Sequence, residues 1–287
     1  MSSALIDLSN GLVRPELLAE VAEEVSRVEE ELDRQMHSQV ATVKNVSHHT
    51  LDAGGKRLRP AFVALSAKAT GLPYDEDRSR KIGACMEMIH MATLIHDDVI
   101  DNSATRRGKD TASAVYGNTG SILAGDVLLA KAMRILAEDG DLAIIRTTSH
   151  SVVEMAEGEV RELETRLQFD LTESAHLEIL RLKTASFIQC CCEVGALLAG
   201  AREEVQASLR DYGHHVGMAF QIIDDLLDYR GDKAKTGKPV ATDFREGQAT
   251  LPLIFLREKL SEQEASVAKQ KFGSGVSDDE IRMISDW

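Results

Sequence analysis

Two short acidic clusters, Asp97-Asp98-x-x-Asp101 and Asp224-Asp225-x-x-Asp228, lie in apolar, helix-like sequence, far apart along the chain. In an α-helix, positions i and i+4 share a face, so Asp97 with Asp101, and Asp224 with Asp228, each present two carboxylates side by side. Leu94, Ile95, Val99 and Ile100 flank the first cluster, and Ile222, Ile223, Leu226 and Leu227 the second. Desolvating like charges in such surroundings is costly unless cations neutralise them. Hard oxygen ligands supplied one or two per helix suit Mg²⁺, which keeps several waters and is completed by substrate phosphates. The chemistry implied is two carboxylate faces gripping a diphosphate through magnesium. One such cluster alone would read as a solvated face or a helix cap; two, both with apolar flanks, do not.

A diphosphate also needs cationic side chains. Lys56-Arg57-x-Arg59, Arg106-Arg107-x-Lys109 and Lys233-x-Lys235-x-x-Lys238 stand out in a chain of formal net charge −14. Recognition of a small anion is the natural use of such clusters, with Lys109 and Lys235 read as ordinary surface solvation. The overall acidity argues against a nucleic-acid partner, whose binding surface would be strongly basic.

These groups must be positioned by helices. The 287 residues are 43% hydrophobic but only 4% aromatic. Runs rich in Ala, Leu, Glu, Met and Arg outnumber β-branched alternation, which predicts an all-α fold with no convincing strand. No proline falls between Tyr74 and Lys238, so long helices fit there. Helical spacing predicts a first helix from Pro15 to about His37. A loop at Asp52-Ala53-Gly54-Gly55 leads into a helix from near Pro60, closed by Gly71-Leu72-Pro73. A helix over about Glu76 to Asp101 carries the first cluster at its end. Beyond the Arg106-Arg107-Gly108 loop, helices are expected near 119–137, 141–168, 172–199 and 202–229, the last carrying the second cluster. Both clusters then lie at helix C-termini, where the dipole favours cations. Ser277-x-x-Glu280 reads as a capping box only seven residues before the chain stops, which points to a truncated sequence.

No linker or repeat divides the chain, so residues 1–287 are expected to form one domain. Cys85, Cys190, Cys191 and Cys192 lack metal-ligand spacing and read as small apolar side chains, a usage suited to a reducing cytoplasm. No secretory signal pattern is present, and no run reaches the roughly eighteen apolar residues that span a bilayer.

Taken in order, these motifs resemble those of the trans-isoprenyl diphosphate synthases, or polyprenyl synthetases. The match runs through Gly54-Gly55-Lys56-Arg57-x-Arg59-Pro60, His90-x5-His96-Asp97-Asp98-x-x-Asp101, Arg106-Arg107-Gly108, Lys183-Thr184 and Gln221-x-x-Asp224-Asp225-x-x-Asp228. It continues through Gly237-Lys238-Pro239, Asp243, Glu246-Gly247 and Thr250-Leu251-Pro252. The resemblance implies an α-helical bundle around a deep central cavity, as a homodimer. It implies that Asp97, Asp101 and Asp224 bind Mg²⁺ and that Asp98, Asp225 and Asp228 complete the two sites. Gly55, Lys56, Arg59, His90 and Arg107 would hold isopentenyl diphosphate. Arg106, Lys183, Thr184, Gln221 and Lys238 would contact the allylic diphosphate or its reacting end, the substrate being expected to be farnesyl diphosphate, with Lys233 near that site. His90 lies two helical turns before Asp97 on the same face, which favours diphosphate binding over a purely structural role. His96 reads as a packing or supporting residue.

The implied reaction breaks an allylic carbon–oxygen bond, so metal and preorganised cations must stabilise the departing diphosphate. Magnesium, Lys183, Arg106 and Lys238 suit that task. The sequence offers no dedicated general base, and the released diphosphate is the natural proton acceptor. The product's tail is expected to grow along the helix that bears the first cluster, past Thr93, Ala92, Ile89 and Met88. Short-chain relatives place a bulky aromatic near the position of Ala92. A small residue here, and an acidic motif without the two-residue insertion of bacterial short-chain enzymes, favour a long, roughly octaprenyl product over farnesyl or geranylgeranyl diphosphate. A terpene cyclase would carry Asn, Ser or Thr in its second metal motif, and a non-catalytic subunit of a heteromeric synthase would carry degraded clusters. Neither pattern is present.

Overall fold

The computed structural model describes residues 15–230 and 240–285. In chain order its helices are α1 (Pro15–Met36), α2 (Ala41–Asp52), α3 (Leu58–Ala69), α4 (Glu76–Ile100), α5 (Ala112–Tyr116), α6 (Asn118–Asp139) and α7 (Leu142–Thr165). Then follow α8 (Glu173–Leu180), a widened π-type turn (Arg181–Ala185), α9 (Ser186–Leu198) and α10 (Glu203–Arg230). Four shorter helices close the described chain: α11 (Thr242–Glu246), α12 (Leu251–Arg257), α13 (Glu262–Lys271) and α14 (Asp278–Ser285). Among the described residues, β-structure is confined to β1 (Thr105–Arg106) and β2 (Lys109–Asp110), paired antiparallel.

The chain divides into two compact units. One comprises residues up to Thr148 with Cys190–Arg210; the other comprises Ser149–Gln189 and the residues from Asp211 onward. In the first unit α4 is the central element. Asp75 caps it by accepting from the Arg78 N–H at 3.0 Å, and Glu76 and Asp77 complement its positive end. Its middle is buried from Ile82 to Ile89 and apolar except for Glu87, as expected of a helix enclosed by neighbours. Val28, Leu32 and Met36 of α1, Val63 and Ala67 of α3, and Leu128 and Ala132 of α6 are buried in the same unit. All four cysteines are buried and free.

The second unit is organised by Phe169, Phe244 and Phe272, with ring centroids 5.4–5.5 Å apart in edge-to-face pairs. Ile281 and Ile284 of α14 join that cluster. The Ser277–Glu280 capping box is formed: Ser277 N–H donates to Glu280 at 2.9 Å, and Glu280 N–H donates to the Ser277 hydroxyl at 3.3 Å.

The expected all-α class and both cluster-bearing helices are present, but five helices (α2, α5, α11, α12 and α13) and the hairpin are additions. The α2 segment has modest helix formers and buries only Val43, Val46 and Ser47, so its apolar periodicity is faint. In the β1–β2 hairpin, Arg107 and Gly108 both have positive φ (53° and 75°), the geometry of a two-residue turn between antiparallel strands. Expected residues Lys233 and Lys238 lie outside the described residues, as does Pro239.

Candidate active site

In the first unit, cationic side chains gather where the loop after α2 meets α4 and the β1–β2 hairpin. Arg57 is buried, with a left-handed backbone (φ 50°). Three acceptors hold it: Glu29 at 3.1 Å, Glu87 at 3.3 Å and the Leu51 carbonyl at 3.0 Å. The hairpin is tied to the same loop, with Arg107 donating to the Gly54 carbonyl and Lys109 to the Asp52 carbonyl at 2.5 Å. A Cβ on Gly55 would come 2.9 Å from a guanidinium nitrogen of both Arg57 and Arg107. Arg107 is exposed, whereas Arg57 is buried and held by its three acceptors.

Burial pushes the Arg59 guanidinium below the usual arginine range against the pull of Glu87, and its buried Nε has no protein partner. Burial, then the charges of Arg59, Arg107, Arg106 and Arg57, hold the His90 imidazole well below the ordinary histidine range. It is therefore neutral at neutral pH, a hydrogen-bonding group among cations. Lys56 is exposed. So dense a positive cluster, with buried Glu87 and half-buried Glu29 as its counterweights, is an anion site.

At the end of α4 the three aspartates differ. Asp98 is buried and accepts from Arg106 Nε at 2.7 Å, whereas Asp97 is half-buried and Asp101 exposed at the helix C-terminus. His96, beside them, lies 3.2 Å from the Ile122 carbonyl and 3.4 Å from Asp126. A Cβ on Gly125 would fall 2.4 Å from its ring, so α6 carries glycine where the imidazole packs. Further up α4, Ala92, Met88 and Ile89 are buried at 2% exposure or less, and Thr93 is half-exposed.

In the second unit the site is built around the widened turn between α8 and α9. The Ser186 N–H reaches back five residues to the Arg181 carbonyl. Widened turns of this kind recur at functional positions because they re-aim side chains. Helices pass closely on two sides: a Cβ on Gly158 would come 2.7 Å from Lys183 N, and one on Gly217 would come 2.6 Å from Ala185 Cα. Lys183 donates to Glu159 at 2.9 Å and also pairs with Glu162. Burial opposes its charge, but the two glutamates outweigh burial and hold the ammonium above the ordinary lysine range. Thr184 donates to Gln221 Oε1 at 3.0 Å, and Gln221 Nε2 approaches Asp225 Oδ1 at 3.4 Å.

At the end of α10, Asp225 is buried against His176 at 2.7 Å, Asp224 is exposed, and Asp228 accepts from the Asp243 N–H at 3.0 Å. Burial, then Asp228, Asp225, Glu162 and Glu246, pushes the Asp243 carboxyl up to about 8. This crowding of oxygen donors fits a hard cation. Among the described residues, no three or more His, Cys, Asp or Glu form a group that could hold an ion by themselves. Magnesium, completed by water and phosphate, requires no such cage.

The first unit thus brings together Gly55, Arg59, His90, Arg106 and Arg107, and the second brings together Lys183, Thr184, Gln221, Asp225 and Asp228. Sequence reasoning missed Glu29, Glu87, Glu159, Glu162 and His176, and gave Asp243 no role. A single glutamate within the apolar run Ile82–Ala92, and the i,i+3 pair Glu159 and Glu162, were readable signals of buried ion pairing; His176 offered none.

The polyprenyl synthetase family profile matches residues 40–285. The chain is 38% identical over 235 residues to heptaprenyl diphosphate synthase component 2 of Geobacillus stearothermophilus, covering 82% of this chain and 73% of that one. It is 36% identical over 254 residues to octaprenyl diphosphate synthase of Escherichia coli K12, covering 88% and 78%. The crystal structure of a Caulobacter crescentus polyprenyl synthase, complexed with calcium and isoprenyl diphosphate, superposes with a TM-score of 0.87 at 34% identity, covering 100% of this chain and 83% of that one. With both acidic clusters, the cationic loop and the Lys-Thr turn in the family's order, the chain belongs to the polyprenyl synthetase family.

Proposed function

We propose that this enzyme is a prenyltransferase that condenses an allylic diphosphate, farnesyl diphosphate as primer, with isopentenyl diphosphate to give a long all-trans polyprenyl diphosphate. The observation that carries this reading is the pairing, within the family, of an arginine-histidine anion site with a lysine-threonine turn next to an acidic helix end. Lys56, Arg59, neutral His90 and Arg107 hold isopentenyl diphosphate, with Gly55 leaving room for the guanidinium groups. Lys183, Thr184, Gln221, Arg106 and Lys238 serve the allylic diphosphate. Glu159 and Glu162 keep Lys183 charged and aimed before substrate arrives, so little reorganisation accompanies bond cleavage.

Mg²⁺ is the proposed ion, held by Asp97, Asp101 and Asp224, with Asp228 adding negative charge and Asp98 and Asp225 supporting from within. When bound, it neutralises the charge growing on the leaving diphosphate. The residues' own contribution is to orient both diphosphates and to supply fixed positive charge. With no described side chain assigned as base, the proton lost at the end passes to the released diphosphate.

A long product is favoured by the small side chains of Ala92 and Thr93 on the helix that bears the first cluster, and by the octaprenyl and heptaprenyl names of similar proteins. A homodimer is supported by Val153, Val160 and Leu163 of α7, all 42–55% exposed. Among the described residues no helix is long and apolar enough to cross a membrane, and four free thiols agree with a cytoplasmic location. A terpene cyclase and a non-catalytic subunit are disfavoured because both clusters are intact. The test is incubation with farnesyl and labelled isopentenyl diphosphates, with chromatography of dephosphorylated products. A long polyprenol that requires Mg²⁺ is expected; cyclic hydrocarbon, or no condensation, would overturn the reading.

A further inference from the structure

His176 lies on α8, outside every motif the sequence singled out. It is 5% exposed, as is Asp225, and its Nε2 lies 2.7 Å from Asp225 Oδ2. A buried carboxylate needs donors, and an ionised one can only accept. His176 therefore donates from Nε2. On the other oxygen, Gln221 must offer its amide N–H, at 3.4 Å, because its carbonyl would repel the carboxylate. That choice turns the Gln221 carbonyl toward Thr184, whose hydroxyl donates to it at 3.0 Å. Thr184 shares the widened turn with Lys183, so the polarity of its hydroxyl is set at the place where Lys183 is aimed.

We propose that His176 is a positioning residue for the condensation: it holds Asp225 turned inward, and through Gln221 fixes the direction of the Thr184 hydroxyl. The chain His176–Asp225–Gln221–Thr184 leaves the Thr184 lone pairs, rather than its proton, directed away from Gln221. Lone pairs there stabilise positive charge on an allylic carbon and would not be replaced by a hydroxyl free to rotate. The second aspartate of the motif is then an orienting group with both oxygens in use, set apart from Asp224. The inference rests on the proposed activity for its consequence, and on the hydrogen-bond geometry for its parts.

Two variants separate positioning from packing. His176→Phe keeps a ring and removes the donor, whereas His176→Gln keeps an amide donor where Nε2 stood. Steady-state kinetics with each substrate varied in turn should show kcat reduced about tenfold to a hundredfold in His176→Phe, the loss of one hydrogen bond to a charged group. The KM for isopentenyl diphosphate should stay unchanged, and His176→Gln should recover most of kcat. Gln221→Ala should lower kcat as well, and adding His176→Phe to it should cost little more, since both act through one chain. Calorimetric binding of an allylic thiodiphosphate, which does not ionise readily, should be the same in wild type and His176→Phe, and thermal melts would report any loss of folding. Equal losses in the Phe and Gln variants, or additive losses in the double variant, would overturn the inference alone. A wild type that condenses nothing overturns the proposed activity, and this inference with it.

Discussion

The arginine-histidine cluster works because its charges are unequal in kind. Arg57 is fully engaged by Glu29, Glu87 and Leu51, so it shapes the loop, while the buried Arg59 Nε has no protein partner and Arg107 stands exposed on the hairpin. Arg107→Ala is expected to raise the KM for isopentenyl diphosphate by the worth of a charge-assisted contact, about 1.5–3 kcal/mol, with kcat little changed. An equal effect on the allylic substrate would show that the two diphosphates are not separated as proposed. His90 adds a pH dependence. Its folded pKa lies below the unfolded value of 6.5, so the unfolded chain binds the proton more readily. The stability this provides is present above pH 6.5 and is lost as pH falls below it toward the folded pKa. Denaturant midpoints measured between about pH 7.5 and 5 should therefore fall less steeply in His90→Gln, which hydrogen-bonds but does not titrate. Identical slopes would mean that His90 takes up its proton in the folded state. Arg57, Arg59, His90 and Arg107 were all legible in the sequence as motif members. Their division of labour was not, because it depends on Glu29 and Glu87, which only the packing of α1 and α4 brings to the loop.

Elements were legible where local chemistry and burial agreed. The α4 helix runs from Glu76 to Ile100 with the first acidic cluster at its end, close to the span of about Glu76 to Asp101 expected from sequence. The segment 172–199, read as one helix, is interrupted by the widened turn because of its neighbours: α7 and α10 present Gly158 and Gly217 to it, and no signal within Arg181–Ala185 itself announces that. On the face of α4 below the acidic cluster, the candidate gate positions differ in burial. Ala92, Met88 and Ile89 belong to the core, and the half-exposed residue one turn before Asp97 is Thr93. Substitution by phenylalanine should distinguish the two positions. Ala92→Phe overpacks a filled interior, which costs about 1–3 kcal/mol and lowers the melting temperature. Thr93→Phe should shorten the prenyl product with little loss of stability, because its ring extends from the more open side. Product chromatography and melts of both variants provide the check. A shortened product from Ala92→Phe at unchanged stability would return the gate to Ala92.

At the scale of the whole molecule, folding and metal binding are coupled through the same carboxylates. Asp224, Asp225, Asp228 and Asp243 lie at or beside one helix end, where burial and then the neighbouring carboxylates push the Asp243 carboxyl up to about 8. An ion that binds the folded state alone stabilises it by mass action, by about 2.7 kcal/mol at a concentration a hundredfold above its dissociation constant. Adding Mg²⁺ with inorganic diphosphate should therefore raise the unfolding temperature, and chelation should reverse the rise. Asp224→Asn separates the two effects. It removes a negative charge from the crowded end, so without metal its melting temperature should equal or exceed that of the wild type. It also removes a proposed ligand, so the Mg²⁺-induced rise should shrink and turnover should collapse. Calorimetric scans of both proteins, with and without metal, read both signs at once. If Asp224→Asn melted lower without metal and kept its full response to Mg²⁺, Asp224 would be a structural residue and the ion would bind elsewhere.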